Sequence, residues 1–321
     1  MGLIEQAVEL LNQASAPRSV DHGRVVEPPI GQLVDRRVAQ PVSERSAEAP
    51  AQTAAKTATP MPCRSDRAVC IDVLALRESG LLAPEADQRQ LAEEYRIIKR
   101  PLLAGLKGES RPRLGNVIVV ASALPGEGKT FTSINLALSL ALERGREVLL
   151  VDGDVAKPHI THLFGLENEP GLLDLVGAAG RTFEDTIVKT DYPSLYVLPA
   201  GSRNLQATEI LRSERTSSLL AALAAEPHRI VLIDSPPLLV TSEAGVLTSL
   251  AGQVVLVVKA AHTPQDAVLH AIETIADDKL VSLVLNQADA VPEHRYAYYG
   301  QYGYGKADGR TADVASGSDS A

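Results

Sequence analysis

The stretch NVIVVASALPGEGKT, residues 116–130, sets the architecture of this 321-residue chain. Its first part (116–122) is an unbroken apolar and β-branched run, which predicts a buried strand. The loop that follows ends in PGEGKT (125–130) just before a helical segment. In such a loop, glycines let backbone N–H groups converge on phosphate, Lys129 reaches the β and γ oxygens, and the Thr130 hydroxyl can ligate Mg²⁺. Strand, loop and helix in this order predict an ATP site.

The predicted ATP contacts extend along the whole loop and to the end of the last strand. They are Pro125, Gly126, Glu127, Gly128, Lys129, Thr130, Phe131 and Asn286. Ala123 stands where the strict G-x-x-x-x-G-K-[ST] pattern has its first glycine. Two side chains keep two interpretations each: Glu127 contacts the nucleotide or faces solvent, and Asn286 binds the adenine edge or forms a turn.

Six short apolar runs alternate with helical segments after residue 115. The predicted strands are 116–122, 147–152, 194–199, 229–235, 253–258 and 281–286, and the predicted helices include 130–143, 208–225 and 264–276. Continuous apolar strands joined by helical crossovers indicate a parallel sheet covered by helices on both faces. The predicted fold class is therefore α/β, a mostly parallel sheet of the P-loop NTPase type that binds ligands at the carboxyl ends of its strands.

A cluster of tyrosines lies near the C-terminus, where five of the eight in the chain fall within nine residues. They are Tyr296, Tyr298, Tyr299, Tyr302 and Tyr304. This density predicts phosphoacceptors, although aromatic residues interleaved with glycine also form low-complexity or stacking tails. About ten residues separate Asn286 from Tyr296 and span at most roughly 33–36 Å when extended. The tyrosines can therefore reach an active site in the same chain or in a neighbouring one.

Aspartates stand at the ends of two predicted strands, where this kind of sheet opens toward its ligand. Asp152 and Asp154 follow the second strand, and Asp234 ends the fourth. Mg²⁺ prefers hard oxygen ligands and water, so Thr130, Asp154 and Asp234 are predicted to hold it. A tyrosine hydroxyl, whose pKa is about 10, needs a proton acceptor, and Asp152 is the predicted base. The predicted catalytic residues are thus Lys129 and the three aspartates.

The composition narrows the range of functions. A formal net charge of −9 argues against a broad basic surface for nucleic acid. Cys63 and Cys70 lack metal-ligand spacing, which fits reduced thiols in the cytoplasm. No run approaches the roughly 18–20 apolar residues that a membrane-spanning helix needs. Any connection to a membrane is therefore expected to depend on a partner.

Four segments are expected along the chain. They are an amphipathic N-terminal helix (1–14), a flexible linker rich in Pro, Ala, Ser and Thr (15–83), a catalytic P-loop domain (84–290) and a disordered tyrosine-rich tail (291–321). The N-terminal helix either docks on a partner or self-associates. Catalysis is expected not to need it.

The motifs taken together match a known family. PGEGKT, VLLVDGD followed by KP, LIDSPPL and the tyrosine cluster resemble the bacterial tyrosine kinases of exopolysaccharide and capsule systems. LIEQAVELL, EEYRIIKRPLL, LFGLENEPGLLDL and LPAG are similar to the branch associated with exosortase-linked exopolysaccharide loci. The resemblance covers most of residues 90–304 and the N-terminal helix.

This resemblance implies an ATP- and Mg²⁺-dependent tyrosine autokinase. Lys129 and Thr130 would serve the phosphates and Mg²⁺, Asp152 and Asp154 would form the second acidic motif, and Asp234 the third. The clustered tyrosines would be phosphorylated in trans within a ring of identical subunits.

The resemblance also implies partners. The subunit-contact motif of the family falls on Glu93, Arg96 and Lys99, with lysine instead of arginine at the last position. Ala156 and Lys157 stand where a basic pair is common in the family, and Lys157 either contacts phosphate or pairs with an aspartate. A separate membrane-spanning polysaccharide co-polymerase (a chain-length regulator) is implied as activator, together with a cognate tyrosine phosphatase and a place at the inner face of the membrane.

Two other functions fit parts of the pattern. An ATPase of the plasmid-partitioning or division-positioning type shares the sheet and the loop, but it carries a lysine five residues before the loop lysine, where this chain has Leu124. A nucleotide-sensing adaptor would bind ATP without useful hydrolysis. Formation of phosphotyrosine from Mg·ATP separates all three functions.

Overall fold

The computed structural model describes residues 61–82, 87–107, 112–177 and 180–288. The predicted N-terminal helix (1–14), most of the predicted linker and the tyrosine cluster lie outside the described residues. The described part forms one α/β unit that ends at Asn286.

An eight-stranded sheet forms the centre of this unit. Its strands are β1 (Arg64–Val69), β2 (Val117–Ser122), β3 (Glu147–Asp152), β4 (Val188–Thr190), β5 (Leu195–Leu198), β6 (Arg229–Asp234), β7 (Gln253–Lys259) and β8 (Leu280–Asn286). The order across the sheet is β1-β4-β5-β3-β6-β2-β7-β8. All neighbouring strands are parallel except β4 and β5, which are antiparallel. The mostly parallel sheet that the sequence predicts is confirmed.

Helices connect the strands over both faces. They are α1 (Val73–Glu78), α2 (Gln88–Ala104), α3 (Lys129–Ala141), α4 (His159–Leu163), α5 (Leu172–Gly177), α6 (Phe183–Thr186), α7 (Ala207–Arg212), α8 (Glu214–Ala224), α9 (Ser242–Leu250) and α10 (Gln265–Glu273). The predicted helix 208–225 is two helices, α7 and α8, since Ser213 between them is extended with a ψ of 151°.

Two hydrophobic cores lie on opposite faces of the sheet, because successive side chains of a strand point to opposite sides. In β2, Val117 and Val119 join the core that contains α5, α7, α8 and α9. Ile118 and Val120 join the other core, with α2 and α3. The central strands β2 and β6 are buried at every position, as covered parallel strands should be.

The folded unit begins earlier than the sequence predicts. The sequence predicts a flexible linker over 15–83, but this range contains β1, which pairs with β4, and α1. Met61 is 5% exposed and Leu76 is 1% exposed in the cores. The Ile71 N–H also donates to Asp191 Oδ1 at 2.9 Å. The start of the folded unit is hard to detect from the sequence, because β1 is a polar edge strand (RSDRAV) with no apolar periodicity.

The opposite edge of the sheet is more exposed than its sequence suggests. Strand β8 is apolar, yet Leu280, Leu283 and Leu285 are 44%, 38% and 47% exposed. This strand pairs only with β7 among the described strands.

No described helix combines the length and apolar character needed to cross a membrane.

Candidate active site

The phosphate loop of the sequence lies between β2 and α3. Gly126 and Gly128 have φ angles of 78° and 92°, a left-handed conformation that glycine adopts at little cost. Pro125 and Gly126 are exposed, whereas Lys129 is 8% exposed. Since α3 begins at Lys129, the unpaired N–H groups and the positive dipole end of this helix meet at the loop. The loop therefore has the features of an anion site.

Asp234, the last residue of β6, is held against the first turn of α3. Thr130 Oγ1 donates to Asp234 Oδ2 at 2.8 Å, and Ser133 Oγ donates to Oδ1 at 2.9 Å. The carboxyl group is 1% exposed, and burial raises its pKa to about 6. The Thr130 and Ser133 hydrogen bonds and the charge of Lys129 oppose this rise. Three residues predicted from sequence, Lys129, Thr130 and Asp234, thus occupy one site.

Asp152 lies beside Asp234 on the neighbouring strand. The two residues are direct partners in the parallel β3–β6 ladder. Asp152 Oδ2 accepts hydrogen bonds from the Thr161 N–H at 2.7 Å and from Thr161 Oγ1 at 2.8 Å. The other oxygen, Oδ1, is buried and has no hydrogen-bond partner. Burial raises the pKa of Asp152 to about 7, against the lowering effect of the Thr161 bonds.

The turn after β3 brings Asp154 to the same edge of the sheet. The Gly153 N–H donates to the Asp234 carbonyl oxygen at 2.8 Å. A Cβ at position 153 would lie 2.7 Å from that oxygen, so only glycine allows this approach. Asp154 is 9% exposed, and its Oδ1 accepts from the Lys157 N–H at 3.1 Å. The acidic residues predicted from the two strand ends therefore gather next to the loop.

The donor set suits Mg²⁺ bound together with a nucleotide. Among the described residues, no group of three His, Cys, Asp or Glu side chains could hold a metal ion. Mg²⁺ commonly uses only one or two carboxylates and completes its shell with phosphate oxygens and water. Thr130, Asp154 and Asp234 offer a hydroxyl and two carboxylates of this kind, beside a loop suited to phosphate.

Glu127 does not face solvent. Its side chain is 2% exposed, and Oε2 accepts from the Leu124 N–H at 2.8 Å while Oε1 accepts from Thr263 Oγ1. The carboxylate therefore links the loop to the segment after β7. Because both carboxylate oxygens are used within the chain, the ATP contact predicted for Glu127 would have to come from its backbone.

Asn286 is joined to the same network at the end of β8. Its side-chain Nδ2 donates to the backbone carbonyl oxygen of Glu127 at 2.9 Å, and its own backbone carbonyl oxygen accepts from the Ala260 N–H at 2.9 Å. The proposed contact with adenine stays a prediction. Phe131 is half-buried on α3 and packs against the core on the α3 side.

The predicted subunit-contact residues do not share one environment. Glu93 and Arg96 are exposed on α2 and form an ion pair with each other. Lys99 is 8% exposed, and its Nζ lies 2.7 Å from Glu143 Oε1 and 2.8 Å from the Ser139 carbonyl oxygen. Its ammonium group is therefore used within the chain, because the α2–α3 contact buries it. A subunit contact through Glu93 and Arg96 stays a prediction.

Three positioning residues escape prediction from the sequence. Ser133 lies one helical turn after Thr130. This spacing could have suggested that both hydroxyls donate to the same carboxylate, that of Asp234. Thr161 lies nine positions after its carboxylate partner Asp152, and Thr263 lies 136 positions after its partner Glu127. No sequence signal marks them, since their role depends on how the loops pack. The tyrosine cluster lies outside the described residues, so its approach to the site is not seen.

The fold and the site define a class of nucleotide-binding protein. A family model described as an AAA domain matches residues 115–284, more than half of the chain. Tyrosine-protein kinase YwqD of Bacillus subtilis (strain 168) is 31% identical over 211 residues, which cover 65% of this chain and 86% of YwqD. The chain belongs to the bacterial tyrosine kinase family.

Two further comparisons bear on this family. The putative tyrosine-protein kinase EpsB of Ralstonia nicotianae (strain ATCC BAA-1114 / GMI1000) is 30% identical over 233 residues, 71% of this chain but only 30% of EpsB. The chain thus spans less than a third of that relative. The crystal structure of the VpsO kinase domain superposes with a TM-score of 0.53 and 27% identity, covering 64% of this chain and all of that domain.

Proposed function

We propose that this chain is an ATP- and Mg²⁺-dependent protein tyrosine kinase that phosphorylates the C-terminal tyrosine cluster, residues 296–304, of a neighbouring copy. The observation that supports it most is the pairing of Asp152 with Asp234 in adjacent strands, with Asp234 bonded to Thr130 in the phosphate loop. This arrangement sets a buried, unpartnered carboxylate oxygen beside the predicted triphosphate site.

The residues divide the chemistry between them. Lys129 and the N-terminal end of α3 neutralise the phosphates. Thr130, Asp154 and Asp234 would hold Mg²⁺, which would spread the charge of the transferred group. Asp152 accepts the proton of the tyrosine hydroxyl through Oδ1. The phenolic oxygen then bonds to the γ-phosphorus while the bond to the β,γ-bridging oxygen breaks. The products are phosphotyrosine and ADP, and the proton stays on Asp152 until solvent removes it.

Membership of the family supports a proposal for the wider role. We place this activity in the control of exopolysaccharide synthesis or export, at the inner face of the membrane. A separate membrane-spanning co-polymerase would serve as activator, and a tyrosine phosphatase would reverse the reaction. A ring of identical subunits would deliver the tyrosines of one copy to the site of the next.

Mass spectrometry of the purified protein before and after incubation with Mg·ATP tests the kinase proposal. We expect phosphate on residues 296–304 of the wild type and of Lys189→Met, a control at an exposed lysine of β4. Lys129→Met should gain none, because the phosphates lose their principal cation. A wild type without new phosphotyrosine, or a Lys129→Met variant that still gains it, would refute the proposal.

A further inference from the structure

A cavity of about 480 Å³ lies next to the acidic residues, between the segment after β3 and the segment after β5. Its charged and polar lining consists mainly of Lys157, His159, Thr161, His162, Glu167 and Arg203. We call it the basic pocket. Strands β3 and β5 are parallel neighbours, so both segments leave the sheet at the edge that carries Asp152.

The pocket concentrates positive charge on a chain whose net charge is −9. Lys157 and Arg203 are exposed, and the described residues place no carboxylate in ion-pair contact with either. The acidic lining residue Glu167 is paired with His162, at 2.7 Å. The two cations are therefore available to an anion from solvent.

Thr161 connects this pocket to the predicted base. It is 2% exposed, lines the pocket, and donates both its N–H and its hydroxyl to Asp152. The Ala200 N–H, two residues after β5, donates in turn to Thr161 Oγ1 at 2.9 Å. The backbone N–H of Lys157 donates to Asp154 Oδ1, while the residue also lines the pocket. An anion in the pocket would thus lie one side chain away from Asp152.

The sequence supplies a fitting anion. The phosphates of ATP are assigned to the Lys129 loop, which leaves the pocket for another group. Tyr296, Tyr298 and Tyr299 are so closely spaced that residues two or three apart in an extended peptide lie roughly 7–10 Å from each other. A phosphate on one of them adds about −1.5 to −2 charges close to the next acceptor. Arginine binds such a phosphate through two parallel N–H bonds, and lysine acts as a point charge.

We propose that the basic pocket binds a phosphotyrosine already formed on the C-terminal segment of a second copy, and so presents a neighbouring tyrosine to Asp152. The proposal rests on the proposed kinase function, because that reaction creates the ligand. The first phosphate then promotes the later ones. Lys157 and Arg203 set the order of phosphorylation and take no part in the transfer itself.

Peptide binding tests the pocket without any catalysis. The probe is a fluorescent peptide of residues 292–304, with Tyr298 either phosphorylated or not, added to the full-length protein in the absence of nucleotide. We expect the phosphopeptide to bind at least about 10-fold more tightly, with the difference lost in Lys157→Gln/Arg203→Gln. It should persist in Lys189→Gln/Arg212→Gln, which removes two exposed positive charges elsewhere. Equal binding of both peptides, or competition by inorganic phosphate at the affinity of the phosphopeptide, would overturn the proposal.

A time course of intact masses with Mg·ATP supplies the second measurement. The double variant Lys157→Gln/Arg203→Gln should acquire its first phosphate within about 2-fold of the wild-type rate, and later phosphates at least about 5-fold more slowly. Equal slowing of all steps, or no slowing, would contradict the pocket. Absence of any phosphotyrosine in the wild type would refute the kinase function instead, while the peptide measurement would still decide whether the pocket binds phosphotyrosine.

Discussion

Asp152 owes its proposed role to the way it is buried. Thr161 fixes one carboxylate oxygen with two hydrogen bonds, and the other oxygen is buried without a partner. A buried oxygen that lacks a partner costs free energy in the folded protein, so its presence is more readily explained by function than by stability.

Replacing Asp152 by Asn should slow phosphotyrosine formation by about 10²–10³-fold, because an amide cannot accept the phenolic proton. ATP affinity should change by less than about 3-fold, since the substitution leaves the loop that we propose to hold the phosphates unchanged. The rate is measured with anti-phosphotyrosine detection and the affinity with a fluorescent ATP analogue. Asp266→Asn, at an exposed residue of α10, is the matched control. A rate above half of the wild-type value would rule out Asp152 as the base.

The stability of the nucleotide-free protein should depend on the same carboxyl group. Because burial raises the pKa of Asp152 from 3.8 to about 7, its favourable contribution is complete below about pH 4 and is lost as pH rises through 7. Between pH 5 and pH 8 the wild type should therefore lose on the order of 2 kcal/mol more unfolding free energy than Asp152→Asn. Urea unfolding in Mg²⁺-free buffer measures this difference. Parallel pH profiles of the two proteins would contradict the raised pKa.

Glu127 shows why a glycine-rich loop is hard to interpret from sequence. Charged residues are rarely buried, so the sequence alone leaves this one either on the nucleotide or in solvent. In the fold its carboxylate accepts hydrogen bonds from the Leu124 N–H and the Thr263 hydroxyl, because the segment after β7 packs against the loop. That contact joins residues 136 positions apart, and no local pattern reports it.

Removing this brace should weaken ATP binding. Thr263→Val keeps the shape but loses the hydroxyl that donates to Glu127 and accepts from the Lys259 N–H. We expect the Kd for ATP to rise about 3- to 10-fold, because the loop no longer holds one conformation. Thr263→Ser should restore it, and calorimetric titration measures both. If Thr263→Val binds ATP as the wild type does, the brace has no role in the site.

Long apolar strands are easier to predict than short or polar ones. The six apolar runs that the sequence indicates all form strands. Five of them lie inside the sheet, where burial on both faces favours continuous apolar sequence, and the sixth is the more exposed edge strand β8. Strand β4 has three residues and β1 is polar, so neither produces a periodic signal. The order of the strands across the sheet also cannot be predicted from these sequence patterns. The placement of β3 beside β6 is what makes Asp152 and Asp234 neighbours.

The early segment that contains β1 and α1 should contribute measurably to stability. Met61, Val69, Ile71 and Leu76 are all buried, and full burial of such a side chain stabilises by about 1.5–3 kcal/mol. A chain shortened to begin at residue 84 should lose at least about 3 kcal/mol of unfolding free energy in urea. One that begins at residue 60 should match the full chain. Equal stability of the two shortened chains would show that the segment is dispensable.

Charge connects the site to the behaviour of the whole protein. Five phosphotyrosines would add on the order of −8 to −10 to a chain that already carries −9. The basic pocket offers two exposed cations, enough for one phosphate. Partial phosphorylation should therefore hold the C-terminal segment at the site of a second copy, and full phosphorylation should release it through repulsion.

We propose that the Lys129 loop and the aspartates at 152 and 234 form one site that transfers phosphate to tyrosine. The most direct test measures phosphotyrosine and free phosphate in the same sample of wild-type protein with Mg·ATP. We predict that phosphotyrosine accumulates to at least about one per chain and that Lys129→Met forms none. Release of free phosphate without any phosphotyrosine would contradict the claim and indicate an ATPase switch on the same fold.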